Sequence, residues 1–261
     1  MFFDGLGRAP EVEISRRLFN LKELVRPYYL KGLYFRLRRQ NCPRPFRDCW
    51  KFPVAAVTES FFGTQAEGTK RQDIVFLPMA DWHTCKQRTQ HFANTFASLG
   101  HRCFYLNPHL GREFPNTYFR SPRVLVSKLA PRVFELHVHL LREPVFHHRC
   151  LRAEEVRVVT QAVERLLRAA SSPSPLLVVS FPLWVEVAAE LRERLGCRVV
   201  YDCHDLLAGF GNVSGDLLAA ERRLLADSDL VAFSAQWLLD HTLAEFPDVG
   251  RKAVLIRNAA S

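Results

Sequence analysis

The sequence has no glycine-rich phosphate loop. Neither GxGxxG nor GxxxxGK[ST] occurs among its 261 residues, which include 12 glycines. The close backbone approach that a dinucleotide pyrophosphate or a P-loop phosphate requires is therefore missing. No GxSxG elbow is present, which argues against a serine hydrolase. The seven cysteines are odd in number and contain no CxxC. That pattern excludes a disulfide framework as the organising device and points to a reducing, cytoplasmic setting. Long apolar runs are also lacking. The longest, LLVVSFPLWVEVAAEL at 176–191, is broken by Pro182 and Glu186, too interrupted to span a bilayer. The amino-terminal MFFDGLGRAPEVEI places an acidic residue and a proline where a signal peptide needs an apolar core.

What is present is unevenly distributed. The formal net charge is +9, and residues 1–60, with twelve Lys/Arg against six Asp/Glu, carry +6 of it. This is a basic arm on a nearly neutral domain, which suggests an anionic partner for the arm. Within it, LVRPYYLKGLYFRLRR at 24–39 interleaves Tyr28, Tyr29, Tyr34 and Phe35 with basic residues. Basic plus aromatic suits an interfacial helix on anionic lipid, and also nucleic acid. An arm packed on its own domain is the plainer alternative. Peripheral membrane contact through residues 24–51, at the inner face of the membrane, is the expectation retained. Nucleic acid is not expected as a partner.

From Asp73 the texture changes. DIVFLP (73–78), CFYL (103–106), LLVVSF (176–181), RVVYD (198–202), LVAFS (230–234) and AVLI (253–256) are short apolar strands. Helical spacing places Phe92, Ala93, Phe96 and Leu99 on one face before Gly100, and Val156, Val159, Val163 and Leu166 on another. Trp184, Ala188, Leu191 and Leu195 mark a helix ended by Gly196, and Ser214 is a candidate cap for a helix from about Gly215. RVLVSK (123–128) and RVFELHVHL (132–140) read as a hairpin or two short strands. Strands alternating with helices specify an α/β fold, a doubly wound, mostly parallel, Rossmann-like sheet. Residues 1–71 form the basic arm or the remnant of an upstream unit, and 72–261 form the domain.

Ligands of such sheets bind beyond the carboxyl ends of the strands. The stretch VVYDCHDLLAGF (199–210) puts Asp202, His204 and Asp205 on that edge. Carboxylates beside an imidazole favour its charged form, which suits a proton shuttle or a group that holds a hydroxyl or phosphate oxygen. A polar strand end that hydrogen-bonds its own loop is the alternative, and spacing alone leaves the two even. His137, His139, His147, His148 and Cys150 have side chains suited to zinc, but their spacings match no ligand pattern. No metal site is expected.

The domain resembles the amino-terminal half of a GT-B glycosyltransferase of family 4. The likeness rests on Trp82, Arg88, Gln90, Gly100, His101 and Pro108 in the first strand–loop–helix. It also rests on Tyr201-Asp202-x-x-Asp205, on Glu221, Asp229 and Ser234 in AAERRLLADSDLVAFS, and on the strand AVLI followed by Asn258. The resemblance implies transfer of a sugar from a nucleotide-sugar to an acceptor hydroxyl, commonly with retention, with no metal and no cofactor beyond the donor substrate. It implies His204 and Asp205 as catalytic residues, and Trp82, Arg88, Gln90, Asp202, Ser234 and Asn258 as substrate-binding residues. Trp82 would stack on a sugar face, and a helix start near Trp82–Lys86 would hold departing phosphate oxygens. The donor-binding half of the family is not in this sequence. Three expectations follow: a partial transferase, inactive by itself, whose full form modifies a cell-surface polysaccharide or lipid-linked acceptor; one subunit of a two-polypeptide transferase with a separate donor-domain partner; or a non-catalytic binding module.

Overall fold

A computed structural model describes residues 51–63, 72–82, 86–110, 124–140, 144 and 148–258. The aromatic stretch 24–39, the loop His83–Cys85 and His147 lie outside the described residues. Nine strands form one sheet: β1 (Lys51–Pro53), β2 (Ile74–Leu77), β3 (Cys103–Leu106), β4 (Val124–Ala130), β5 (Val133–Val138), β6 (Leu176–Val179), β7 (Arg198–Cys203), β8 (Leu230–Phe233) and β9 (Ala253–Leu255). The order is β1-β4-β5-β3-β2-β6-β7-β8-β9. Six of the pairings are parallel and two, β1–β4 and β4–β5, are antiparallel. Ile74 sits opposite both Cys103 and Leu176, so β2 is the centre from which the chain winds both ways.

All four residues of β2 and of β3 are buried, which is why neither shows polar alternation: each strand is covered on both faces. Their side chains still divide with the two-residue period of a pleated strand. Val75, Leu77, Tyr201 and Cys203 join the large core cluster, whereas Ile74, Phe76, Tyr105 and Val178 join the smaller one. Helix α3 (Ala153–Ala169) packs Val156, Val159, Val163 and Leu166 into the large cluster. Helices α4 (Val185–Leu195) and α5 (Gly215–Asp227) cover the same face through Leu191 and Leu224. Helix α2 (Arg88–Ser98) covers the opposite face through Ala93. Helix α6 (Gln236–Glu245) packs beside β8 and β9.

The ends of these helices follow local chemistry. Gly196 closes α4 at φ 64°, left-handed backbone that a side chain disfavours. The Ser214 hydroxyl accepts from the Leu217 N–H at 3.4 Å, with Asp216 in the first turn of α5. Gln87 and Gln90 form a reciprocal capping box at the start of α2.

The sheet also takes in chain upstream of residue 72, the boundary suggested by the change in texture. β1 pairs with β4, and the short helix α1 (Glu59–Phe62) buries Phe62 against Phe104 and Phe134, with ring centroids 5.7 and 5.1 Å away. A three-residue strand and a one-turn helix are shorter than any window in which periodicity shows. The segment at 124–138 is an antiparallel hairpin, with its register shifting between Lys128 and Ala130.

Candidate functional site

Strand order reverses between β2 and β6, and the crevice of a doubly wound sheet lies beyond the carboxyl ends of the strands at that point. Its two lips are tied together. The buried indole N–H of Trp184, just after β6, donates to the Pro78 carbonyl, just after β2, at 2.8 Å. Thr89 and Ser180 hydroxyls meet across the same gap at 3.3 Å. Beside these lips, an open cleft of about 200 Å³ reaches the end of β7 and is lined by Met79, Phe181, Asp202, His204, Phe210 and Glu221, among others.

Alternation along β7 decides what each side chain meets. Tyr201 faces α5, where its hydroxyl donates to the Glu221 carboxylate at 2.8 Å. Asp202 faces the other way, toward α2. There the Arg88 Nε donates to Asp202 Oδ1 at 2.8 Å, in a pair whose side chains are 8% and 1% exposed. Arg88 Nη1 donates to Asn258 Oδ1 at 2.9 Å, and the guanidinium lies 4.5 Å from the Phe92 ring centre. Residues from α2, β7 and the segment after β9 thus converge on one cation. The pair is incompletely satisfied: Arg88 Nη2 and Asp202 Oδ2 are buried without a hydrogen-bond partner among the described residues. Burial pushes the Asp202 carboxyl above its ordinary range, against the opposing pull of Arg88.

His204 sits half-buried at the cleft edge. Its Nδ1 is 3.0 Å from the Asp202 main-chain oxygen and 3.9 Å from Asp202 Oδ2. Its Nε2 is 3.5 Å from Asp205 Oδ2. A proton on Nδ1 donated to that carbonyl leaves Nε2 as the acceptor nitrogen. Ser234 donates to the His204 carbonyl at 2.8 Å and holds the loop rather than reaching the cleft. Burial also raises the Glu221 carboxyl, and it raises the Cys203 thiol strongly, which disfavours the thiolate.

The structure therefore brings Asp202, His204 and Asp205 together in the cleft, with Arg88 and Asn258 joined to Asp202 from behind. Gln90 lies elsewhere: it caps its own helix and donates to the Asp81 carbonyl at 2.9 Å. Trp82 packs edge-on against Tyr105 at 5.1 Å. Sequence reasoning passed over Phe210, Asn212 and the Tyr201–Glu221 pair as cleft walls. For Tyr201 the signal was there, since a strand residue next to an inward aspartate must face the opposite helix layer. His137 and His139 are buried at 1% and 4% exposure, with His137 Nε2 3.3 Å from Glu135 Oε2. Among the described residues no group of His, Cys, Asp and Glu could hold a metal ion, and no helix is long and apolar enough to cross a membrane.

No protein-family model matches the chain, and no curated protein matches it. Among solved structures it is similar to sucrose-phosphate synthase from Thermosynechococcus elongatus, with TM-score 0.52 and 15% identity over 73% of this chain and 49% of that one. The catalytic domain of starch synthase IV from Arabidopsis thaliana, bound to ADP and acarbose, matches with TM-score 0.47 and 10% identity over 72% of this chain and 52% of that one. The chain spans about half the length of the synthase it matches. At such identity the likeness is one of fold: a Rossmann-like, mostly parallel sheet of the kind that forms one half of a GT-B glycosyltransferase.

Proposed function

We propose that this chain forms the acceptor side of a glycosyltransferase, in which a sugar passes from a nucleotide-sugar to an acceptor hydroxyl. The observation that carries this reading is the convergence of Asp202, His204 and Asp205 on one cleft at the carboxyl edge, in a sheet that shares its fold with sucrose-phosphate synthase. The donor is held by a facing surface, on a continuation of this polypeptide or on a second one.

In the proposed reaction the acceptor hydroxyl donates its hydrogen bond to His204 Nε2. The bond between the donor's anomeric carbon and its phosphate oxygen breaks, and the nucleoside diphosphate leaves with the electron pair. The acceptor oxygen bonds to the anomeric carbon, and its proton passes to Nε2. Asp205, 3.5 Å from Nε2, and Asp202, 3.9 Å from Nδ1, then stabilise the imidazolium so formed. With a lipid-linked acceptor, the basic, aromatic segment 24–51 brings the protein to an anionic membrane face, which co-sedimentation of the whole chain with anionic vesicles checks.

The test is to recover the protein from its own cells with an antibody against residues 73–261 and to supply a panel of nucleotide-sugars. Acceptor-dependent release of nucleoside diphosphate is expected from the recovered species, together with whatever accompanies it. Recovered material that transfers no sugar to any acceptor on the panel overturns the proposal in favour of a binding module.

A further inference from the structure

We infer that the cleft selects an uncharged polyhydroxylic ring, such as one sugar unit, and rejects phosphorylated sugars. Calling that ring an acceptor rests on the transferase proposal, whereas the selectivity rests on the cleft itself.

Among the described residues, the ionisable groups lining the cleft are three carboxyls, Asp202, Asp205 and Glu221, and the His204 imidazole, with no Lys or Arg. Three arginines of α2 and α5 are already engaged. Arg88 is held by Asp202 and Asn258. On α5, Arg222 pairs with Glu245 and Arg223 with Glu186. A phosphate dianion entering this cleft would meet the exposed Asp205 carboxylate, with no guanidinium or ammonium group among the described lining residues to hold it.

What the cleft offers suits a neutral ring. Phe210, 48% exposed, gives apolar surface for the C–H face of a sugar, with the buried Phe181 and Leu207 in the wall behind it. Asp205, His204 Nε2 and Asn212 offer hydrogen bonds to hydroxyls. Asp202 lines the same cleft with its side chain 1% exposed, and its Oδ2 has no hydrogen-bond partner among the described residues. A buried acceptor without a partner at a cleft wall is the kind of unfilled valence a bound hydroxyl completes.

The experiment is a titration of the whole chain, followed by calorimetry and by the imidazole NMR signals of His204. The probes are methyl glycosides of glucose, galactose, mannose and N-acetylglucosamine, and the 6-phosphates of the same sugars. At least one neutral glycoside should bind and shift His204, and its 6-phosphate should bind at least about tenfold more weakly. Asp205→Asn, at an exposed position, should narrow that gap several-fold. Equal or tighter binding of the 6-phosphate, or a His204 signal unmoved by every neutral glycoside, overturns the inference. The two proposals fail separately. Neutral-sugar binding without any transfer removes the transferase and keeps the selectivity, whereas transfer onto phosphorylated acceptors does the reverse.

Discussion

Two buried arginine–aspartate pairs sit at opposite edges of the sheet and are built differently. At the amino edge, Arg102 grips Asp73 with two bonds of 2.8 and 2.6 Å, and its Nη1 donates to the Gly63 carbonyl at 3.2 Å. Those side chains are 1% and 3% exposed. At the carboxyl edge, Arg88 holds Asp202 through Nε alone, shares itself with Asn258, and leaves one nitrogen and one oxygen without a hydrogen-bond partner among the described residues. A bidentate pair with a third bond is a staple: it joins the segments entering β2 and β3 and ties α1 beneath them. A pair with spare valences next to a cleft stores hydrogen-bonding capacity that stability alone does not require. The edge that holds the fold is thus built differently from the edge where the site is proposed.

Breaking the staple should have the largest effect. Arg102→Met leaves Asp73 buried without its cation, and loss of one partner of a buried pair costs about 3–5 kcal/mol, to be read from urea unfolding. Arg88→Met should cost less, about 1–3 kcal/mol, because burial already inclines the Asp202 carboxyl toward its neutral form. Equal losses in the two variants would erase the distinction drawn between the edges.

A third substitution sharpens it through pH. The native state holds the Asp202 proton more tightly than the unfolded chain does, so this group adds stability below the ordinary carboxylate pKa of about 4. That stability is lost as pH rises through the raised native value. Asp202→Asn keeps the neutral shape at every pH. Its stability relative to the wild type should therefore increase with pH from about 4 upward, and a difference that stays constant with pH would contradict the burial argument. The smallest effect belongs to the solvent-exposed pair of Arg222 and Glu245, 67% and 57% exposed. Glu245→Gln should leave stability within about 0.5 kcal/mol of the wild type.

Much of this frame was legible in the chain itself. Strand runs such as IVFL and LLVV, the helix stop at Gly196 and the cap at Ser214 announce themselves through local chemistry, and local chemistry is what a sequence displays. The edge position of Asp202, His204 and Asp205 followed from the fold class. The partner of Asp202 did not, because Arg88 lies 114 positions away and only the tertiary fold brings the start of α2 to the end of β7. Gln90 illustrates the converse. A polar residue near a site edge resembles a ligand contact until the capping box at the start of α2 accounts for its amide oxygen and the Asp81 carbonyl for its amide nitrogen. β1 and α1 were hidden by brevity, with tertiary packing around Phe62 fixing them instead of propensity.

The most direct measurement compares acceptor-dependent sugar transfer by the recovered protein in its wild-type and His204→Ala forms, with thermal unfolding recorded for both. The account predicts a rate lower by about 100-fold or more, in the range that a positioned acid–base group supplies, with an unfolding temperature nearly unchanged because the imidazole lies at the cleft edge, outside both core clusters. Equal transfer by the two forms would contradict it and return the end of β7 to an ordinary polar strand exit.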